Sequence, residues 1–243
     1  MTRSPLAIGR IVVLVLAIAA FAFVCVAGPG SRSEWWSWQT GIAFVRYGTY
    51  AGLAAALGAL ILVLTLAIPR FRVRAWMPLL ALVLGIAAAI PGILLVNKAK
   101  SVPRIHDITT DTADPPAFVA LAPARKAAAN GLDYGGPAIA EEQRKGYPDI
   151  KPLVVKEAPN AAVQKAIDAA RSLGWNIAAS DAAAGRIEAT DTTSWFGFKD
   201  DIVVRVRPEG DGSRVDVRSV SRVGLSDLGA NAERIRRFLA KLG

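Results

Sequence analysis

Cysteine is almost missing from this chain of 243 residues: Cys25 stands alone, inside an apolar run. The remainder therefore has no disulfide framework and no thiolate chemistry. Histidine is as scarce. His106 is the single imidazole, which removes multi-histidine metal sites and leaves one candidate imidazole base. Acid is nearly missing from the first 96 residues, where Glu34 alone stands against seven Lys or Arg; the other 147 carry 22 basic and 19 acidic residues. Most of the formal +9 thus lies beside apolar runs, as the topology rule for membrane proteins requires. A nucleic-acid footprint would instead place a basic patch on a soluble fold, so no nucleic-acid partner is expected.

What is present is long hydrophobic sequence. Residues 11–27 are an unbroken apolar or small run, and 48–68 and 75–96 are each near the ~20 residues that cross a hydrocarbon core. These three spans define a membrane anchor over 1–96. Arg3 and Arg10 before the first run also fit a signal peptide, but Cys25-Val26-Ala27 is a weak cleavage signal and two more spans follow, so an uncleaved anchor is expected. Arg70, Arg72 and Arg74 in PRFRVRA (69–75), with Arg3 and Arg10, place those ends in the cytoplasm. Trp35, Trp36 and Trp38, in the opposite loop 28–47, read as interfacial anchors. The expected protein is multi-pass in the inner (plasma) membrane with its C-terminal part periplasmic. Lys98, Lys100 and Arg104, just past the third span, run against that orientation. No ionisable residue falls at mid-depth of the three spans, so no ion path is implied. Gly52 with Ala56, and Gly85 with Ala89, have the small-xxx-small spacing of close helix packing or a helix-mediated oligomer.

Residues 97–150 read as an irregular connector. Pro115, Pro116, Gly135, Gly136, Pro137 and Pro148 interrupt regular elements, while Ile105, Phe118, Leu121, Tyr134 and Tyr147 offer apolar anchors. From 151 to 243 the periodicity is clear. Strands are expected at 153–156, 175–179, 186–195, 202–207 and 214–223. A helix opens at Pro159 and closes at Gly174; another starts near Asp227 and buries Leu228, Ile235, Leu239 and Leu242. The order β-α-β-β-β-β-α, an antiparallel sheet of about five strands with two helices on one face, is an α+β two-layer fold behind three transmembrane helices.

GRIEATDTTSWFGFKDDIVVRVR (185–207) followed by RSVSRVGLSDLGANAERI (218–235) resembles the family called domain of unknown function 1499. The likeness extends over roughly 103–241. Some family members carry a cysteine in an N-terminal motif where this chain has IHDITTDTADPP. The resemblance implies a bacterial envelope protein and adds no mechanism, cofactor or metal.

The candidate chemistry lies at the end of the fifth strand. If Val206 pairs with Val215, Asp201 lies opposite Val220 with Arg218 and Arg222 as same-face diagonal neighbours, within a guanidinium's reach. Asp200 then faces the other way, so the adjacent carboxylates do not share a site. Asp201 with Arg218 and Arg222 reads either as a structural ion-pair cluster or as a polar-ligand site. Arg205 and Arg207, directed away from the core, add a basic patch for an anionic lipid or envelope component. Ser219 and Ser221 face inward; with His106 either could be a hydrolytic nucleophile, though the G-x-S-x-G elbow is absent. Ser226 and Asp227 suit a helix cap. Asn231, a poor helix former, is expected to bond the strand end or the connector. Gly197, among Trp195, Phe196 and Phe198, marks a tight bend; those aromatics are either core or an exposed tip. The candidate ligand-binding set is Arg218, Arg222, Asp201, Asn231, Asp227, Ser221 and Arg205. The expected activity is non-catalytic binding, with a serine hydrolase and a structural scaffold as alternatives.

Overall fold

The computed structural model describes residues 5–65, 75–126 and 128–243. The arginine-rich turn at 70–74, Arg3 and the end of the second apolar run lie outside the described residues. The chain divides into a helical unit, Met1–Lys98 with Ser194–Gly197, and a sheet unit, Ala99–Thr193 with Phe198–Gly243.

The helical unit holds α1 (Pro5–Arg32), α2 (Trp38–Thr65) and most of α3 (Trp76–Ser101). All three are long and apolar enough to cross a membrane. A 28-residue helix reaches about 42 Å, beyond a ~30 Å hydrocarbon core. The loop expected at 28–47 shrinks accordingly, because α1 runs through Pro29 to Arg32 and α2 begins at Trp38. The chain reverses in a Schellman pattern: Trp35 N donates to Gly30 O at 2.9 Å and Glu34 N to Ser31 O at 3.1 Å, with Glu34 left-handed at φ 59°. Trp36 is not a free interfacial anchor. Its indole packs on Gly30 and donates to Ala27 O at 3.2 Å, whereas Trp35 stays exposed.

Small residues set the helix spacing. A Cβ at Gly52 would stand 2.7 Å from Gly85 O, and one at Gly85 2.8 Å from Ala56 N. The spaced pairs Gly52/Ala56 and Gly85/Ala89 therefore meet each other within the chain. Ser194–Gly197 packs here too. The Trp195 ring lies on Gly28, Phe196 is buried beside Gly41, and Arg32 Nη1 donates to Ser194 O at 2.6 Å. Gly197 makes its bend at φ 71°.

The sheet unit is a six-stranded antiparallel sheet of β1 (Asp107–Thr109), β2 (Leu153–Val155), β3 (Asn176–Asp181), β4 (Arg186–Thr192), β5 (Lys199–Glu209) and β6 (Gly212–Ser221). The spatial order is β1-β6-β5-β4-β3, with β2 also on β6. Both short strands line one edge of β6, β1 against 218–220 and β2 against 213–215. Helices α6 (Pro159–Ser172) and α7 (Ala230–Leu239) cover one face. Between them and the sheet lies the core: Val163, Ala166 and Ile167 of α6, Ile235 and Phe238 of α7, Ile202, Val204 and Val206 of β5, and Val215 and Val217 of β6. Trp175 stacks on Phe238 at 5.0 Å.

The sheet has one strand more than the five expected, because β1 is only three residues long and carries no alternation to read. The segment 97–150 also holds α4 (Ala122–Lys126) and the 11-residue α5 (Gly136–Gly146). Gly135, Gly136 and Pro137 do not break α5; they start it, with proline in the first turn where its missing N–H costs nothing. The terminal helix begins at Ala230, not Asp227. Leu228 and Gly229 both have positive φ, 55° and 82°, so Leu228 belongs to the turn, and the fully buried α7 residues are Asn231, Ala232, Ile235 and Phe238.

Candidate functional site

The face of the sheet opposite the helices carries the predicted cluster. Val206 pairs with Val215 and Asp201 with Val220, as the alternation requires. Asp201 is fully buried and accepts four bonds. Arg222 approaches it with Nε at 2.9 Å and Nη2 at 2.8 Å, Thr190 Oγ1 at 2.7 Å, and Arg125 Nη1 at 3.1 Å. Those bonds hold the Arg222 guanidinium above its ordinary pKa, against the smaller effect of its own burial. Arg218 does not join Asp201. It turns to β1, where Nε and Nη2 grip the Asp107 carboxylate at 3.0 and 2.7 Å, and it donates to Pro116 O and Leu132 O. The place expected for Arg218 is taken by Arg125 of α4.

Arg125 is a residue that sequence reading missed. Its side chain is wholly buried, donating also to Val220 O, Asn130 O and Gly131 O. Its guanidinium lies 5.1 Å from the Phe118 ring, and that of Arg218 lies 5.5 Å from the same ring. Burial pulls the Arg125 pKa down from its usual value. An Ala-rich stretch with one arginine offers no periodicity that would signal such burial. Glu188 was missed for a related reason: in RIEAT it alternates outward, which predicts exposure. Residues 119–121 instead cover it, and their three N–H groups donate to its carboxylate at 2.8–3.0 Å. Phe118, Leu121 and Leu132 pack beside it on Val203 and Val220.

At the other end of this face, Arg205, Arg207 and Arg214 surround the buried Asp216, with Asp111 and Asp114 outside them. Burial pushes the Asp111 carboxyl up, but the N–H groups of Asp114 and Ala113 and the charges of Arg214 and Arg205 outweigh it, leaving it below its ordinary range. Arg205 and Arg207 thus form no free basic patch; each has carboxylate partners.

The helix face carries a second network. Ser219 Oγ donates to Asn231 Oδ1 at 2.6 Å, and Asn231 Nδ2 donates to Ser221 Oγ and to His106 O, each at 3.0 Å. The asparagine amide therefore joins strand end and connector, as expected. Arg234, which sequence reading also missed, donates to Ser219 Oγ and Asn231 Oδ1 and pairs with Asp200 at 2.6 Å and Asp191 at 2.8 Å. Asp200 and Asp201 thus serve opposite faces. Asp227 caps α7 from three residues before its first residue, Ala230: its oxygens accept Gly229 N and Asn231 N, each at 2.8 Å. Burial raises its pKa despite those bonds, and nearby Asp200 adds to the rise. Ser226 Oγ accepts Leu228 N within the turn.

Chemically, the carboxylates and hydroxyls of both networks are taken up within the fold, while Arg125 Nε is buried without a partner. Neither serine hydroxyl donates to a basic nitrogen among the described residues: Ser219 donates to an amide oxygen, and Ser221 accepts from an amide N–H. Among the described residues no group of three or more His, Cys, Asp and Glu could hold a metal, and the Asp107 and Asp111 carboxylates are bound by arginines.

A six-stranded antiparallel sheet under two helices, sealed on its other face by an arginine-bearing connector, and an N-terminal set of apolar helices define the class: an α+β domain joined to candidate membrane spans. The chain belongs to the family described as a protein of unknown function, DUF1499, whose model matches residues 107–242. A search of curated proteins finds no match.

Proposed function

We propose that this is a multi-pass protein of the bacterial inner membrane whose sheet unit lies on the periplasmic side and works by binding an envelope partner, without catalysis. The observation that carries this reading is the state of Ser219: its hydroxyl donates to Asn231 Oδ1 at 2.6 Å and lies 3.2 Å from Arg234 Nη1. A nucleophilic serine needs a base to take its proton; this one is held between an amide and a cation. Among the candidate residues, Asp201, Arg218, Asn231 and Ser221 are buried and, with Asp227, hold the fold's own chain; Arg205 and Arg222 also pair with its carboxylates but keep partial solvent access and form the rim a partner would meet. The test is labelling of the full-length protein, in its own membranes, with a fluorophosphonate probe. No adduct is expected at Ser219 or Ser221. An adduct that disappears in His106→Ala would overturn the reading in favour of a serine hydrolase.

A second reading, a structural scaffold, is favoured by the closure of the Arg–Asp clusters. Arg205→Gln combined with Arg222→Gln separates the two. Binding expects the phenotype of gene loss with the folded protein still present; a scaffold expects wild-type behaviour as long as the protein folds.

A further inference from the structure

One arginine in the helical unit is treated unlike those of the sheet unit. Arg46 lies in α2, eight residues past Trp38 and so about 12 Å along the helix. No carboxylate pairs with it among the described residues; its one recorded hydrogen bond is Nη2 to Tyr47 Oη at 3.0 Å, with the guanidinium 4.9 Å from that ring. An arginine within a candidate span is costly, and such residues mark function more often than packing. Arg46 also lines a groove of about 240 Å³ between α2 and α3, walled by Ile42, Val45, Tyr50, Leu95 and Val96 and by Thr49 across from Gly92. Thr49 donates its hydroxyl to Val45 O at 2.8 Å, so Arg46 is the charged group of an otherwise apolar lining.

We infer that this groove holds one acyl chain of an anionic membrane phospholipid, with the headgroup phosphate on Arg46. Four observations converge on that occupant. The walls are apolar and belong to helices able to span a bilayer, which suits a hydrocarbon chain. From Arg46, where the phosphate would sit, the groove continues along α2 to Tyr50, about 6 Å, the outer part of the ~15 Å that one leaflet contributes to the hydrocarbon core. The unpaired guanidinium requires a negative group, and phosphate accepts its paired N–H donors. Basic pockets between spanning helices recognise lipid headgroups in this way. Finally, the first 96 residues supply a single acid, Glu34, so little in the chain competes with lipid for the cation. A second copy of the chain fits less well. The small-residue stripes that would dock another helix are used internally at Gly52 and Gly85, and the exposed Tyr50 stands in the groove wall.

The test uses the full chain reconstituted in nanodiscs containing equal amounts of phosphatidylglycerol and phosphatidylcholine, with retained lipid read by native mass spectrometry. Wild-type protein is expected to keep phosphatidylglycerol in preference. Arg46→Gln should reduce that preference about tenfold, as expected for loss of one charge-assisted contact. Val96→Trp, which fills the groove but keeps the charge, should reduce total retained lipid. Arg10→Gln, outside the groove, should change neither. Equal retention of the two lipids by wild type, an unchanged preference in Arg46→Gln, or full retention in Val96→Trp would each overturn the inference. So would a dimer of the chain appearing in place of bound lipid.

Discussion

The two units of this protein use opposite means to hold their elements together. In the helical unit the close contacts fall at glycines, Gly52 and Gly85 on each other, Gly48 on Val24 and Gly92 on Thr49, and the single acid, Glu34, leaves basic residues such as Arg46 without a carboxylate. In the sheet unit the outer face is bound by guanidinium–carboxylate pairs: Arg125 and Arg222 on Asp201, Arg218 on Asp107, and Arg205, Arg207 and Arg214 on Asp216. The difference follows from the chain's local chemistry. Apolar helices in lipid gain nothing from burying more apolar surface, so they associate by close van der Waals approach. A connector laid over the charged residues of a sheet face must instead bring partners to buried donors and acceptors, and arginine's planar fork does this for several carbonyls at once, although Arg125 Nε and Tyr134 Oη stay buried without a partner.

Breaking the ionic side of the comparison should give the largest effect. Arg125→Ala removes one of the two guanidiniums on the fully buried Asp201 and strips three backbone carbonyls of their donor. Loss of one partner from a buried pair costs about 3–5 kcal/mol. The expected result is a matching fall in the unfolding free energy of the full chain in detergent, with hydrogen exchange rising first over residues 112–133. If those amides keep their protection, Arg125 does not hold the connector.

Breaking the close-packed side should cost less. A side chain at Gly52 meets Gly85 O and Ala88 Cβ within 3 Å, so Gly52→Leu forces α2 and α3 apart at a cost of about 1–3 kcal/mol. The comparison becomes sharper if exchange then rises across 45–59 and 81–92 while β5 and β6 keep wild-type protection. Of similar or smaller size is Glu188→Gln. It leaves an acceptor for some of the three N–H groups of residues 119–121 but removes the charge, for an expected loss of about 1–2 kcal/mol. It is measured by the same denaturation.

These three sites also differ in how far the sequence exposes them. The glycine pairs are legible because helix geometry fixes which residues share a face at a spacing of four. The β5–β6 register is legible because Ile202, Val204 and Val206 must face the same way as Val215 and Val217, and Asp201 beside Arg222 follows from it. Arg125 and Glu188 are not legible. Their burial depends on where residues 110–133 lie over the sheet, and that path is set by long-range contacts such as Arg218 to Asp107 and Asn130 to Gly224 O. The three-residue β1 is hidden for the same reason: it pairs with a strand more than a hundred residues later. Arg218 illustrates the limit. Its face was predictable from parity, but its partner was not, because two acids lie within reach and only the fold decides between them.

The smallest effect expected concerns pH and tests whether the rim of the sheet unit depends on charge as its centre does. Asp111 accepts from Arg205 and Arg214 and from the N–H groups of Ala113 and Asp114. Its folded pKa lies below the ordinary 3.8. A depressed carboxyl contributes stability that is complete above the unfolded pKa and is lost as pH falls through the folded value. Asp111→Asn should therefore melt below wild type at neutral pH by roughly 1 kcal/mol, the scale of a partly exposed network. That gap should close as the solution is taken below about pH 4. Asp227 works in the opposite direction. Its raised pKa means that ionisation weakens the fold as pH rises through the folded value, but both proteins share that slope and it cancels in their difference. A gap that stays constant from pH 7 to pH 3 would mean that Asp111 acts through the shape of its turn, where the Ala113 and Asp114 N–H groups close on Oδ1, and that the arginines around it contribute nothing to stability.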